Sequence, residues 1–193
     1  MATTETHGFV SNKLISDILA HLPKDPHLNA FSEQFLFAIP SRSLAYFSST
    51  KWASFLQDRF TFFQNKVTQD LQQGVFELTT SPTNPTQKIL QAVCLDANYI
   101  VITLEALFKE FGFPITKLFH PIVSVHLDQN QIVDLKRNAK DSLLVSMVYI
   151  EFETAAGSEI LVDFEHRVAL HLSSIQFSFQ HQAQIVNRLH GLS

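Results

Sequence analysis

Apolar residues spaced near 3.6 predict three helices in the first third of the chain. The first covers Asn12 to Leu22 and ends before the prolines at 23 and 26, and the second covers Asn29 to Ala38. Thr50 can cap the third, in which an apolar stripe extends to Val67. That stripe consists of Trp52, Phe55, Leu56, Phe62, Phe63 and Val67. Such a stripe is usually covered by another helix of the same domain.

Beyond this region the apolar period alternates between two and 3.6, which is typical of strands packed against helices. A short strand, Gly74 to Thr79, precedes a loop from Ser81 to Thr86 that is rich in Pro, Ser and Thr. Gly112 and Pro114 end a helix, and Asp96 or Asn98 can cap it. The predicted elements are a strand Lys88 to Leu95, a helix Asn98 to Phe111, strands Ile115 to Leu127, Gln131 to Lys136 and Leu143 to Phe152, a turn Asn138 to Asp141, and a helix from Glu159 towards Leu189.

This order predicts an α+β fold: an antiparallel sheet with helices packed on one face, following a helical N-terminal segment. Strand, helix, three strands and helix make up most of a ferredoxin-like βαββαβ unit with one hairpin added. We place the helical segment at 1–72 and the α+β domain at 73–193. The last strand of the unit is missing, and either Gly74 to Thr79 or a second subunit is expected to fill that sheet edge.

Composition narrows the possible environments and partners. The 193 residues include 14 basic and 18 acidic side chains, a net charge of -4, and a single cysteine. One cysteine forms neither an intramolecular disulfide nor a cysteine-based metal cluster, so a cytoplasmic location is expected. No apolar run approaches the length of a membrane span. The sequence also has no stripe of Lys and Arg residues that could neutralise the phosphates of a nucleic acid. Membranes and nucleic acid are therefore not expected partners.

The sequence contains none of the common catalytic or phosphate-binding motifs. The five scattered glycines form no phosphate-binding loop, and no Gly-x-Ser-x-Gly elbow occurs. Cys94 lies in an apolar strand, where a thiol is usually inert. The nine histidines have no spacing that makes a metal site within one element. Glu151 and Glu153 share a strand face and are interpreted as a solvated edge rather than an acid/base pair.

Three segments share a pattern with a known family: Cys94 to Leu104, Gly112 to Val125 with His120-Pro121-Ile122-Val123, and Ser146 to Phe152. They resemble the first ACT-like domain of the large NAD-dependent glutamate dehydrogenases of bacteria. In that family a strand leads into an Asp-Met-Pro-Phe-Leu-Val-Asp-Ser helix start, and a Gly-Leu-x-Ile segment leads into a His-Pro-Val strand. Here Ala97 and Asn98 replace the Met and Pro, and Ile102 replaces the second acid. Residues 31–66 are similar in helix pattern alone.

The resemblance implies that residues 73–193 are an ACT-like regulatory or oligomerisation domain. The parent enzyme would deaminate L-glutamate oxidatively to 2-oxoglutarate and ammonia with NAD. This segment would hold no cofactor and perform no catalysis, because the family's nucleotide-binding and catalytic parts lie downstream. Its expected partners are the rest of the parent chain, other copies of itself and an amino-acid effector. The alternative is a free-standing ACT-like amino-acid-binding or protein-interaction module.

The candidate effector site is the turn formed by Asp96, Ala97, Asn98 and Tyr99. A strand that runs into a helix start presents free backbone N–H groups and a positive dipole end, which can hold a small carboxylate. Simple capping of the helix by Asp96 or Asn98 is the competing interpretation.

Overall fold

The computed structural model describes residues 4–69, 71–82, 84–129, 131–135 and 142–190, with the backbone alone for 4–11 and 182–190. The chain forms two compact units, and each is discontinuous in sequence. Unit 1 consists of Met1–Thr68 with Pro121–Val145, and unit 2 consists of Gln69–His120 with Ser146–Ser193. The N-terminal helices thus share a unit with residues 121–145, and the boundary between 72 and 73 stays a prediction.

Unit 1 begins with helices α1 (Thr4–Leu19), α2 (Pro26–Ala38) and α3 (Ser49–Val67), with a 3₁₀ helix at Ser41–Tyr46. The α2 cap is Asp25, whose carboxylate accepts from the backbone N–H groups of His27 and Leu28. Pro26 is therefore the start of α2, where its missing N–H costs nothing. The predicted cap of α3 was wrong by two residues: Ser48, not Thr50, accepts the N–H of Lys51.

The apolar stripe of α3 lies against α2, as predicted. The Phe31 ring of α2 lies 5.3 Å from the rings of both Phe60 and Phe63. Trp52 is fully buried and its indole N–H donates to the Leu44 carbonyl at 2.9 Å. The aromatic residues thus build a helical core, with the one polar indole atom satisfied.

A hairpin completes unit 1, and a glutamine side chain extends its hydrogen bonding. Strand β4 (Ile122–Asp128) pairs antiparallel with β5 (Gln131–Asp134). The Gln34 amide on α2 accepts the Ser124 N–H at 2.8 Å and donates to the Ser124 and Leu135 carbonyls. The Gln34 side chain thus makes the hydrogen bonds that a neighbouring strand would make to these backbone groups. The predicted turn Asn138 to Asp141 lies outside the described residues.

Unit 2 contains the strands β1 (Val75–Ser81), β2 (Asn84–Leu95), β3 (Ile115–Phe119) and most of β6 (Leu143–Glu153). β1 pairs antiparallel with β2, and β6 lies between β2 and β3. The segment predicted as Gly74 to Thr79 therefore fills the sheet edge, as proposed from the sequence. The predicted loop from Ser81 to Thr86 was too long, because Ser81 ends β1 and Asn84, Pro85 and Thr86 already belong to β2.

One predicted strand was wrong. The run from Ile115 to Leu127 was expected to be continuous, but β3 ends at Phe119 and β4 begins at Ile122. Pro121 has no N–H to donate to a ladder, and it restricts the backbone of the residue before it. The strand is therefore interrupted at His120 and Pro121.

Two helices, α4 (Ile100–Glu110) and α5 (Ser158–His190), cover one face of the unit 2 sheet. Alternate residues of β2 and β6 point to them, so the ferredoxin-like order is completed with both helices on one side. The buried residues from these two strands are Leu90, Ala92, Cys94, Val148, Ile150 and Phe152. Gly112 closes α4 at φ +67, as predicted, while the N–H of Phe113 donates to the Phe108 carbonyl. No described helix is long and apolar enough to cross a bilayer.

Candidate functional site

The candidate turn joins β2 to α4, and its geometry differs from simple capping. α4 begins at Ile100, and the residue before it, Tyr99, has a left-handed backbone with φ 72. No side chain caps this helix start. The prediction that Asp96 or Asn98 is the cap was therefore wrong, and the reason is that Asp96 is engaged elsewhere.

Asp96 is the end of a hydrogen-bonded chain that links the ends of three strands of unit 2. The Ser146 hydroxyl donates to Asp96 Oδ1 at 2.6 Å, and His120 Nε2 lies 3.0 Å from Ser146 Oγ. A serine hydroxyl has one proton, and here it points to the carboxylate. Ser146 Oγ must then accept from His120, so the imidazole carries its proton on Nε2.

Burial and a neighbouring charge shift the pKa of His120 in opposite directions. Desolvation lowers the pKa of this imidazole below its usual value, while the nearby Asp96 charge raises it. The lowering prevails, so the neutral imidazole with its Nε2–H is the form that donates to Ser146 near neutral pH. Burial, followed by the Asp96 charge, raises the pKa of Cys94 to about 12, which fits the inert thiol expected from sequence.

An acid, a serine and a histidine occur together here, but their order is not that of a catalytic triad. In a catalytic triad the histidine lies between the acid and the serine and accepts the serine proton. Here the serine lies in the middle, its proton is given to Asp96, and His120 donates to it. Ser146 is also fully buried. The hydrogen bonds of Ser146 and His120 therefore position Asp96 rather than activate the serine hydroxyl.

The four predicted site residues have different environments. Asp96 is half-buried, Ala97 is buried, and Asn98 and Tyr99 are exposed, with 71% of Tyr99 accessible. The first helical hydrogen bond of α4 runs from Thr103 N–H to the Tyr99 carbonyl. The three preceding N–H groups therefore have no helical acceptor, which is the usual state of a helix start. The turn combines this positive helix end with the adjacent Asp96 carboxylate.

A residue of α5 also holds the turn through a side-chain hydrogen bond. Gln176 is fully buried, and its Nε2 donates to the Leu95 carbonyl at 2.8 Å. Its Oε1 has no hydrogen-bond partner among the described residues. Gln176 thus fixes the end of β2 immediately before Asp96.

A second polar cluster surrounds Glu151 on the opposite face of the sheet. Glu151 is buried and accepts from Lys117 Nζ, from Gln87 Nε2 at 3.1 Å and from the Tyr149 hydroxyl at 2.7 Å. The interpretation of Glu151 as part of a solvated edge was therefore wrong, whereas Glu153 is exposed. Three donors fix this carboxylate in a structural role.

Sequence reasoning missed His120 and Ser146 as partners of the turn. They lie 26 residues apart, and Ser146 lies 50 residues from Asp96, so no local spacing reveals the contact. Within the part of the chain that is described, no three His, Cys, Asp or Glu side chains are grouped to hold a metal ion.

Comparisons of the chain with protein-family models, with curated proteins and with solved structures find no match. The resemblance carried by the strand and helix segments therefore stays a prediction from sequence.

Proposed function

We propose that this chain is an ACT-like regulatory and assembly module of an NAD-dependent glutamate dehydrogenase. The parent would convert L-glutamate, with NAD, to 2-oxoglutarate and ammonia, and this segment would bind an effector or organise subunits rather than catalyse. The observation that carries the proposal is the order of β2, α4, β3, β6 and α5, with both helices on one sheet face. The residues that resemble the family lie in this framework, except for residues 121–125, which belong to unit 1.

The turn from Asp96 to Tyr99 is the proposed effector site. The α4 start offers N–H groups and a positive dipole end to a carboxylate. The Asp96 carboxylate, held in place by Ser146, offers a partner to a cation in the same turn. A ligand that carries both charges on one carbon, an α-amino acid, satisfies both ends. A dicarboxylate without an ammonium group would meet Asp96 with like charge.

A thermal-shift titration tests this site. L-glutamate and other amino acids are compared with 2-oxoglutarate, which keeps the carboxylates of glutamate but lacks the ammonium. A ligand at a hundred times its dissociation constant adds about 2.7 kcal/mol to stability. We expect a shift with an amino acid and a smaller one with the keto acid. Asp96→Asn should reduce the shift, whereas Asp163→Asn, an exposed acid on α5, should leave it unchanged.

The predicted relationship to the dehydrogenase is tested separately by determining how far the reading frame extends in the gene. A reading frame that continues past residue 193 into a dehydrogenase supports the module of an enzyme. A frame that stops there contradicts it and favours the free-standing alternative. Absence of any shift with the amino acids contradicts the effector site and leaves assembly as the role of the domain.

A further inference from the structure

The outer side of α5 exposes large apolar side chains where a solvated helix would carry polar ones. Leu170 is 50% exposed and Phe177 is 61% exposed. They are seven residues apart and so lie on the same side of the helix, opposite the buried Phe164, Val168 and Leu172. The Phe177 ring stacks on His181 at 4.1 Å, which holds it in one orientation.

Along this outer side the pattern of residue types is symmetric about its centre: a histidine, a large apolar residue and a serine on each half. Leu170 and Phe177 flank Ser173 and Ser174, and His166 and His181 lie four residues further out on each side. A two-fold axis across the helix between Ser173 and Ser174 therefore places Leu170 opposite Phe177 of a second helix. Such a surface is self-complementary, as an isologous dimer contact requires. The two serines at the centre allow the helices to approach closely.

The charges along α5 favour the same antiparallel direction. Its acidic residues, Glu159, Asp163 and Glu165, all lie within the first eight positions, and the sequence from 166 to 190 contains histidine and arginine but no acid. Antiparallel packing about this axis places residues 159–165 opposite residues 182–188 of the other helix, a segment with Arg188 and no acid, whereas parallel packing would place the acidic residues of the two helices opposite each other. The helix dipoles are opposed favourably as well.

Building on the assembly role proposed above, we propose that the outer side of α5, centred on Ser173 and Ser174, binds the same surface of a second copy of this chain in antiparallel orientation. The occupant is a second copy because both the apolar pattern and the charge gradient complement themselves under one rotation.

Sedimentation velocity over a range of concentrations tests the surface. The wild-type chain should form a dimer, and a Leu170→Glu/Phe177→Glu double variant should weaken it by roughly tenfold or more. Ile160→Glu is the matched control: Ile160 is also on α5 and is also 50% exposed, but it lies off the stripe. Because all three positions are exposed, circular dichroism should show unchanged folding.

Cysteine cross-linking tests the direction independently. Two Ser173→Cys residues would lie close to the two-fold axis and should form a disulfide-linked dimer. Two His166→Cys residues would lie about 22 Å apart along an antiparallel pair and should not cross-link. Cys94 is buried and does not interfere.

Each other outcome overturns the proposal in a distinguishable way. A dimer unaffected by the double variant, or cross-linking at both cysteine positions, refutes the antiparallel α5 contact while leaving the assembly role. A wild-type chain that is monomeric at every concentration refutes the contact and the assembly role together.

Discussion

Replacing Ser146 by alanine removes the residue that connects Asp96 with His120. Ser146 is fully buried, and its hydroxyl makes a 2.6 Å bond to the Asp96 carboxylate. A hydrogen bond to a charged group contributes about 1.5–3 kcal/mol, but water can partly replace it because Asp96 and His120 are half-exposed. We therefore expect a loss of about 2 kcal/mol, near the lower end of that range.

Urea unfolding followed by circular dichroism measures this loss directly. In a chain of this size the expected change lowers the melting temperature by about 4–8 °C. Ser178→Ala is the control, because Ser178 is exposed on α5 and its loss should change stability by less than about 0.5 kcal/mol. If Ser146→Ala behaves like this control, the hydrogen-bonded chain does not hold Asp96, and the account of the turn given above is wrong.

Four further changes test other parts of the structure. Gln34→Met leaves three buried backbone hydrogen bonds unmade, so urea unfolding should show a loss of about 3 kcal/mol, while Gln64→Met on the exposed side of α3 should show little. Gly112→Ala, at φ +67 with open space around it, should cost about 1 kcal/mol by the same measurement. Because the pKa of Cys94 is raised to about 12, its reaction with a thiol reagent at pH 8 should be at least about a hundredfold slower in the native chain than in urea. Because the pKa of His120 is lowered in the folded chain, the unfolded chain binds this proton more readily, and the free energy of unfolding should fall as the pH drops below the pKa of a free histidine. His120→Gln, which keeps an N–H donor, should weaken that fall. A pH profile unchanged by the substitution would contradict this role of His120.

Local patterns predicted much of the fold because they depend on residues close together in sequence. The period of two in β2 and β6 and the period of 3.6 in α3, α4 and α5 reflect which side of each element is buried. The missing sheet edge was also predictable, since an incomplete ferredoxin-like order requires one more strand and Gly74 to Thr79 had the pattern of one.

The errors have physical causes that a local pattern does not contain. Periodicity continued through Pro121, so the break between β3 and β4 was missed even though proline disrupts a ladder. The cap of α3 depended on which of two neighbouring hydroxyls, Ser48 or Thr50, had the right backbone angle. At the candidate site, Asp96 was available to a distant serine, and that tertiary bond prevailed over capping.

The position of β1 has a consequence for the order in which unit 2 can fold. In an ordinary ferredoxin-like chain the edge strand comes last, whereas here it precedes its neighbour and joins it by a tight hairpin. Relative to that pattern the sheet is circularly permuted, and all four of its strands precede α5 in the sequence. The edge strand pairs with its neighbour through short-range contacts, and such contacts form quickly during folding.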